Sequence, residues 1–89
     1  MSVVRLDGAI IKEQGVTFAV VAVKSHINSP QARQKAQEAF RRFFPGIPII
    51  LMRNLPRGKA EFWGRSDIVR FLSGFPWDLL PWKRFTFTI

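Results

Sequence analysis

The sequence contains no cysteine, which removes disulfides, thiolate zinc sites, iron–sulfur clusters and thiol nucleophiles together. A single histidine, His26, supplies too few imidazoles for a histidine-built metal site. No metal is therefore expected. No cofactor is expected either: GxGxxG does not occur, and Gly58-Lys59 lacks the spaced glycine and trailing hydroxyl of a phosphate-binding P-loop. Acidic residues are scarce, six against fourteen Lys and Arg, which leaves a net charge of +8 and favours an anionic partner. Long apolar runs are also missing. Phe18 to Val23 and Ile47 to Met52 span six residues each, against the roughly 20 that cross a bilayer. Met1 to Gly8 carries neither a signal-peptide core nor a lipidation motif. The expectation is a cytoplasmic protein with no membrane partner.

What is present suits one small folded domain spanning residues 1–89. An apolar fraction of 47%, with nine Phe and three Trp, supplies enough large buried area to exclude intrinsic disorder, although a chain of this size hides only ~60% of its unfolded surface. No repeat or linker-like stretch marks a boundary.

Val3 to Leu6 and Ala9 to Lys12 read as two short strands around Asp7-Gly8, a pair suited to the positive φ angles of a type I′ turn. Val16 to Lys24 is apolar at alternate positions of both parities, the pattern of a central strand covered on both faces. Ser29-Pro30 reads as an N-cap followed by proline at the first helical position. The helix it opens runs to about Phe44, with an apolar stripe of Ala32, Ala36, Ala39, Phe40, Phe43 and Phe44, and Pro45-Gly46 stops it. Ile47 to Arg53 and Ala60 to Trp63 form the next two strands across a basic loop. Ser66-Asp67 cap a second helix bearing Ile68, Val69, Phe71, Leu72 and Phe75, and Gly74 and Pro76 end it. Pro76 to Trp82 is a turn or one short helical turn before a last strand, Lys83 to Thr88, in which Phe85, Phe87 and Ile89 alternate with Arg84, Thr86 and Thr88. The fold class expected is α+β, in two layers: one mixed sheet of about five strands with two helices, in the order ββ(β)-α-ββ-α-β.

The succession of helix, Ile47-Pro48 strand, hairpin, Gly64 and helix is similar in order to the C-terminal half of thioredoxin-like folds, in which a cis proline begins such a strand. The similarity covers about half of the chain. Ser25 to Gln31 offers no cysteine where that family keeps its redox pair, so the resemblance implies a non-redox derivative.

The basic residues are the first candidate site, because a functional patch must gather charge on one surface. Arg53, Arg57 and Lys59 lie around a hairpin tip, with Trp63 and Arg65 close by in sequence, a grouping like the basic wings and aromatic platforms that hold phosphates and bases. Arg33, Lys35, Arg41 and Arg42 sit on the polar side of the first helix, and Arg33 and Lys35 oppose its dipole at the N-terminal end. Lys83-Arg84 begin the last strand. The plain alternative is a solvated surface that keeps a Phe-rich domain soluble, with Glu38 and Arg42 an i, i+4 pair. No RNP-type octapeptide, helix-turn-helix or GXXG clamp occurs, so any binding should be phosphate-driven and salt-sensitive.

Trp77 and Trp82, in a segment that repeats Pro-Trp, are candidates for docking a partner or a second copy of the chain, or else form a clasp that closes the core. Lys24-Ser25-His26 with Asn28 lies at the mouth of the central strand, but a nucleophile needs a base oriented by a third group, and nothing local fixes Asp67 or Asp78 beside His26. Metal-free RNA cleavage by His26 with Lys and Arg is a minor alternative. The sequence thus points to a small non-catalytic module binding a polyanion, RNA or DNA first, through Arg53, Arg57, Lys59, Arg65, Trp63, Arg33, Arg41 and Arg42. The rival is a protein-interaction or homo-oligomerising module that uses a sheet edge and Trp77 and Trp82.

Overall fold

Alternation of apolar residues along two strands settles the architecture. The computed structural model describes residues 2–88. Strands β1 (Val3–Glu13), β2 (Val16–Val23), β3 (Ile49–Leu55), β4 (Lys59–Trp63) and β5 (Lys83–Thr88) form one sheet in the order β4-β3-β2-β1-β5. Helix α1 (Pro30–Arg41) connects β2 to β3, which run parallel, while the other three pairings are antiparallel. Helix α2 (Ser66–Ser73) follows β4. Mixed sheet, helix count and element order are those expected from the sequence.

The helices do not share a layer. In β2 and β3, Phe18, Val20, Ile50 and Met52 pack with Ile68 and Leu72 of α2, whereas Ala19, Val21, Ile49 and Leu51 pack on the other face with Ala36 and Phe40 of α1. A two-layer arrangement would have left one of these sets in water. Burying a residue of this kind is worth about 1.5–3 kcal/mol, so a sheet apolar on both faces takes a helix on each.

Asp7-Gly8 is not a turn. β1 runs straight through it, pairing residues 3–8 with β5 and 8–13 with β2, so Gly8 is where the strand changes partner. Its backbone lies close to β2: a Cβ there would stand 3.2 Å from the Val20 carbonyl oxygen. Asp7 is instead held by Arg84 of β5 at 2.6 Å. The two-residue hairpin turn is Gln14-Gly15, with φ of 50° and 79°, as a type I′ turn requires.

Ser29 caps α1, accepting from the Ala32 amide at 3.1 Å. The helix ends at Arg41, earlier than its apolar pattern suggests, because Phe43 and Phe44 turn away to meet β5: Phe43 stacks on Phe87 at 4.5 Å and Phe44 meets Phe85 edge-on at 5.3 Å. Aromatic pairs of this kind add about 0.5–1.5 kcal/mol each beyond their burial, and the helix gives up three residues, less than one turn, to make them. Glu38 bonds weakly to Gln34 at 3.4 Å rather than pairing with Arg42. At α2 the cap position is Arg65, without a side-chain cap, and Ser66 is already helical. Every peptide bond among the described residues is trans, Ile47–Pro48 included, so the cis proline implied by the thioredoxin-like order is not found. Ile89 lies outside the described residues. No helix among the described residues is long and apolar enough to cross a membrane.

Candidate nucleic-acid interface

Helix α1 rests on the sheet through small and aromatic residues, Ala36 and Phe40, and none of its residues is fully buried. One helical step around from that contact lies a row of long polar side chains at i, i+4 and i+8: Arg33, Gln37 and Arg41. They face the exit of β4. The groove left between them, about 470 Å³, is lined by Arg33, Gln34, Gln37 and Arg41 from α1, by Ile47, Pro48 and Ile49 at the entry to β3, and by Trp63 at the end of β4 with Gly64 and Arg65 after it. Among the described residues three guanidinium groups line it and no carboxylate does.

Each wall has a local reason. Gln37 donates Nε2 to the Ile49 carbonyl oxygen at 3.1 Å, tying the helix to the entry of β3. Gly64 has φ of 153°, and a Cβ on it would lie 2.5 Å from Ile50 Cδ1 and 3.0 Å from the Ile49 carbonyl oxygen. Only glycine lets the chain leave β4 this close to β3. The Arg33 guanidinium lies 4.1 Å from the centre of the Trp63 ring and donates Nη2 to the Asn28 carbonyl oxygen at 2.9 Å. Its Nε is buried and makes no hydrogen bond among the described residues. Arg65 grips Asp67 with Nε and Nη2 at 2.8 and 2.9 Å, and these hydrogen bonds hold the Asp67 carboxyl below the usual carboxylate range. Arg41 has no ion-pair partner among the described residues.

The sequence-derived candidates thus divide. Arg33, Arg41, Trp63 and Arg65 come together in the groove. Arg53 projects on the same sheet face, 5.5 Å from the Trp63 ring, but is bound to Glu61 at 3.1 Å and to the Ser25 carbonyl oxygen at 3.1 Å. Arg57 stands exposed at the hairpin tip with φ of 67°. Lys59 lines a smaller cavity with Phe62, Phe75 and Trp77, residues that belong with α2 on the other face. Arg42 is exposed and lies 5.7 Å from the Phe43 ring. Gln34 and Gln37 were not singled out in the sequence and Gly64 was noted only for its place in the order of elements, although the spacing of Arg33, Gln37 and Arg41 was there to be seen.

Trp77 and Trp82 are both half-buried against the α2-side core. The Trp77 indole donates to the Gly58 carbonyl oxygen, and that of Trp82 to the Trp77 carbonyl oxygen, both at 2.8 Å. His26 is exposed and lines a separate groove with Lys24, Arg5 and Asp7 at the point where β1 and β2 diverge. Asp67, a potential orienting acid for it, is engaged by Arg65. No cluster of metal-ligating side chains occurs among the described residues. Comparison with protein-family models, curated proteins and solved structures gives no match.

Proposed function

We propose that this chain binds a polyanion, nucleic acid in the first instance, through the groove between α1 and the exit of β4. The observation that carries the reading is the lining: among the described residues, three arginines, two glutamines and no carboxylate, on a chain with a net charge of +8. A low-dielectric recess lined by one sign of charge concentrates counter-ions of the other. Guanidinium groups suit phosphate because their planar fork donates two parallel hydrogen bonds. Arg33 and Arg41 carry most of the attraction, Arg65 contributes in competition with Asp67, and Arg53, Arg57, Lys59 and Arg42 add only diffuse charge. Trp63 has its ring already stacked on Arg33, so it acts with that arginine rather than as a bare platform. Fluorescence anisotropy with labelled single- and double-stranded oligonucleotides at several salt concentrations tests the reading. Saturable, salt-weakened binding reduced by Arg33→Gln and Arg41→Gln is expected, and no binding even at low ionic strength refutes it.

A second reading, an interaction or self-assembly module, draws on a different surface. Phe71 and Phe75 are 37% and 38% exposed with ring centres 5.9 Å apart, and Leu79, beside the Pro-Trp segment, is 69% exposed. Adjoining exposed apolar groups such as Phe71 and Phe75 are characteristic of contact surfaces, and β4 and β5 end the sheet with one unpaired edge each. Light scattering discriminates: a salt-insensitive dimer, weakened by Leu79→Ser, favours this reading over the first.

A further inference from the structure

The shape of the groove carries a further conclusion about its ligand, one that rests on the polyanion reading. A duplex is a stiff rod with a persistence length of about 50 nm, with its bases stacked inside and its phosphates on a convex outer surface, so it presents charge to flat or protruding protein faces. The cations here stand around a recess instead. Trp63 and Ile47 are half-buried within it and Ile49 is buried. Its volume of about 470 Å³ falls in the range of ~300–1,000 Å³ typical of pockets for single small ligands, which suits one nucleotide and not a double helix.

The chemistry of the lining matches the parts of such a nucleotide. Arg41 and Arg33 offer charge for a phosphate. The Arg33–Trp63 stack, 4.1 Å between guanidinium and ring centre, provides the mixed cationic and aromatic surface on which unpaired bases are held. Gln37, whose Nε2 is engaged by Ile49, keeps its Oε1 as an acceptor for a base edge, and Gln34 adds a second amide. We infer that the groove accommodates one unstacked nucleotide of a single-stranded nucleic acid, and that the protein prefers single strands to duplex. In a duplex the same nucleotide would first have to leave the stack, at a cost of a few kcal/mol.

The test compares three probes at equal phosphate concentration and one low salt concentration: a twelve-nucleotide thymidine oligomer, a blunt duplex of two separate strands, and inorganic polyphosphate, which has no bases. The oligomer is expected to bind about ten-fold more tightly than either of the others, as stacking of a single base allows. Trp63→Leu, which removes the aromatic face, should remove most of that advantage, read as the ratio of oligomer to polyphosphate affinity so that any shift of Arg33 common to both probes cancels, with thermal melting confirming that the variant is folded. Equal binding of all three overturns the single-strand inference and leaves the polyanion reading standing. Binding of none overturns both. A folded Trp63→Leu variant that keeps the full preference for the oligomer removes the Arg33–Trp63 stack from the argument and with it this assignment of the groove.

Discussion

Salt dependence provides a count of the groove's working charges. On single strands the logarithm of the binding constant falls with the logarithm of salt concentration by about 0.7 for each phosphate neutralised. Two arginines in the groove, Arg33 and Arg41, have no carboxylate partner among the described residues, while Arg65 is clamped by Asp67 at 2.8 and 2.9 Å. If only the free pair engages phosphate, the slope is about −1.4, and raising salt from about 50 to about 200 mM weakens binding about seven-fold. If phosphate displaces Asp67 so that Arg65 joins, the slope steepens to about −2.1 and the loss to about eighteen-fold. Arg41→Gln should therefore shift the slope by about 0.7 towards zero, whereas Asp67→Asn should steepen it by up to the same amount. Anisotropy titrations of the thymidine oligomer at five or six salt concentrations read both values. An Arg41→Gln slope equal to that of the parent would refute the placement of phosphate beside Arg41. A parent slope steeper than about −4 would mean that the exposed cations as a whole, not the groove, bind the ligand.

Three further outcomes follow from the geometry. Gly64→Ala places a methyl 2.5 Å from Ile50 Cδ1 and should cost about 1–3 kcal/mol by urea denaturation, a change under about 0.5 kcal/mol showing that β3 and β4 can part without penalty. Trp77→Phe deletes the bond to the Gly58 carbonyl oxygen; it should cost about 1 kcal/mol and speed amide exchange in the turn Pro56–Gly58, while unchanged exchange would dissociate the clasp from the hairpin. The carboxyl of Asp67, held low by the hydrogen bonds from Arg65, should titrate by NMR below the ordinary carboxylate range and return upward in Arg65→Gln. Because its folded-state value is depressed, whatever the pair contributes to stability is present above the ordinary range and lost as pH falls through the depressed value.

The elements that could be read from the sequence are those whose signals are local. The Ser29-Pro30 start of α1, the β5 alternation of Phe85 and Phe87 with Arg84, Thr86 and Thr88, and the short turn around Trp77 all appear where their residues place them. Asp7-Gly8 misled because its turn chemistry is real but outweighed: β1 gains two ladders by running on, one to β5 and one to β2, and Gln14-Gly15 is left to turn the chain even though Gln is a poor residue for φ of 50°. The layer count depended on taking the double-faced pattern of β2 to its consequence, since a strand apolar on both sides demands a cover on each.

The site was less legible for a reason that lies in strand geometry. Arg53, Arg57 and Lys59 are close in sequence, which made the hairpin tip look like the centre of charge. Yet side chains along a strand alternate between faces and a turn disperses its own, so neighbours there are the residues least able to converge. Arg53 ends on Glu61, Arg57 in solvent, and Lys59 beside Trp77. Convergence comes instead from a helix, where i, i+4 and i+8 share one margin, set against the point at which a strand stops. Arg33, Gln37 and Arg41 make the row, and Gly64 permits β4 to end beside it with Arg65 next in the chain. The pairing of those two features is fixed by the parallel crossover through α1, which lays the helix across β3, and by the antiparallel return that brings the end of β4 alongside the beginning of β3. Long-range topology, not local charge density, therefore decides which of the fourteen cations share a surface.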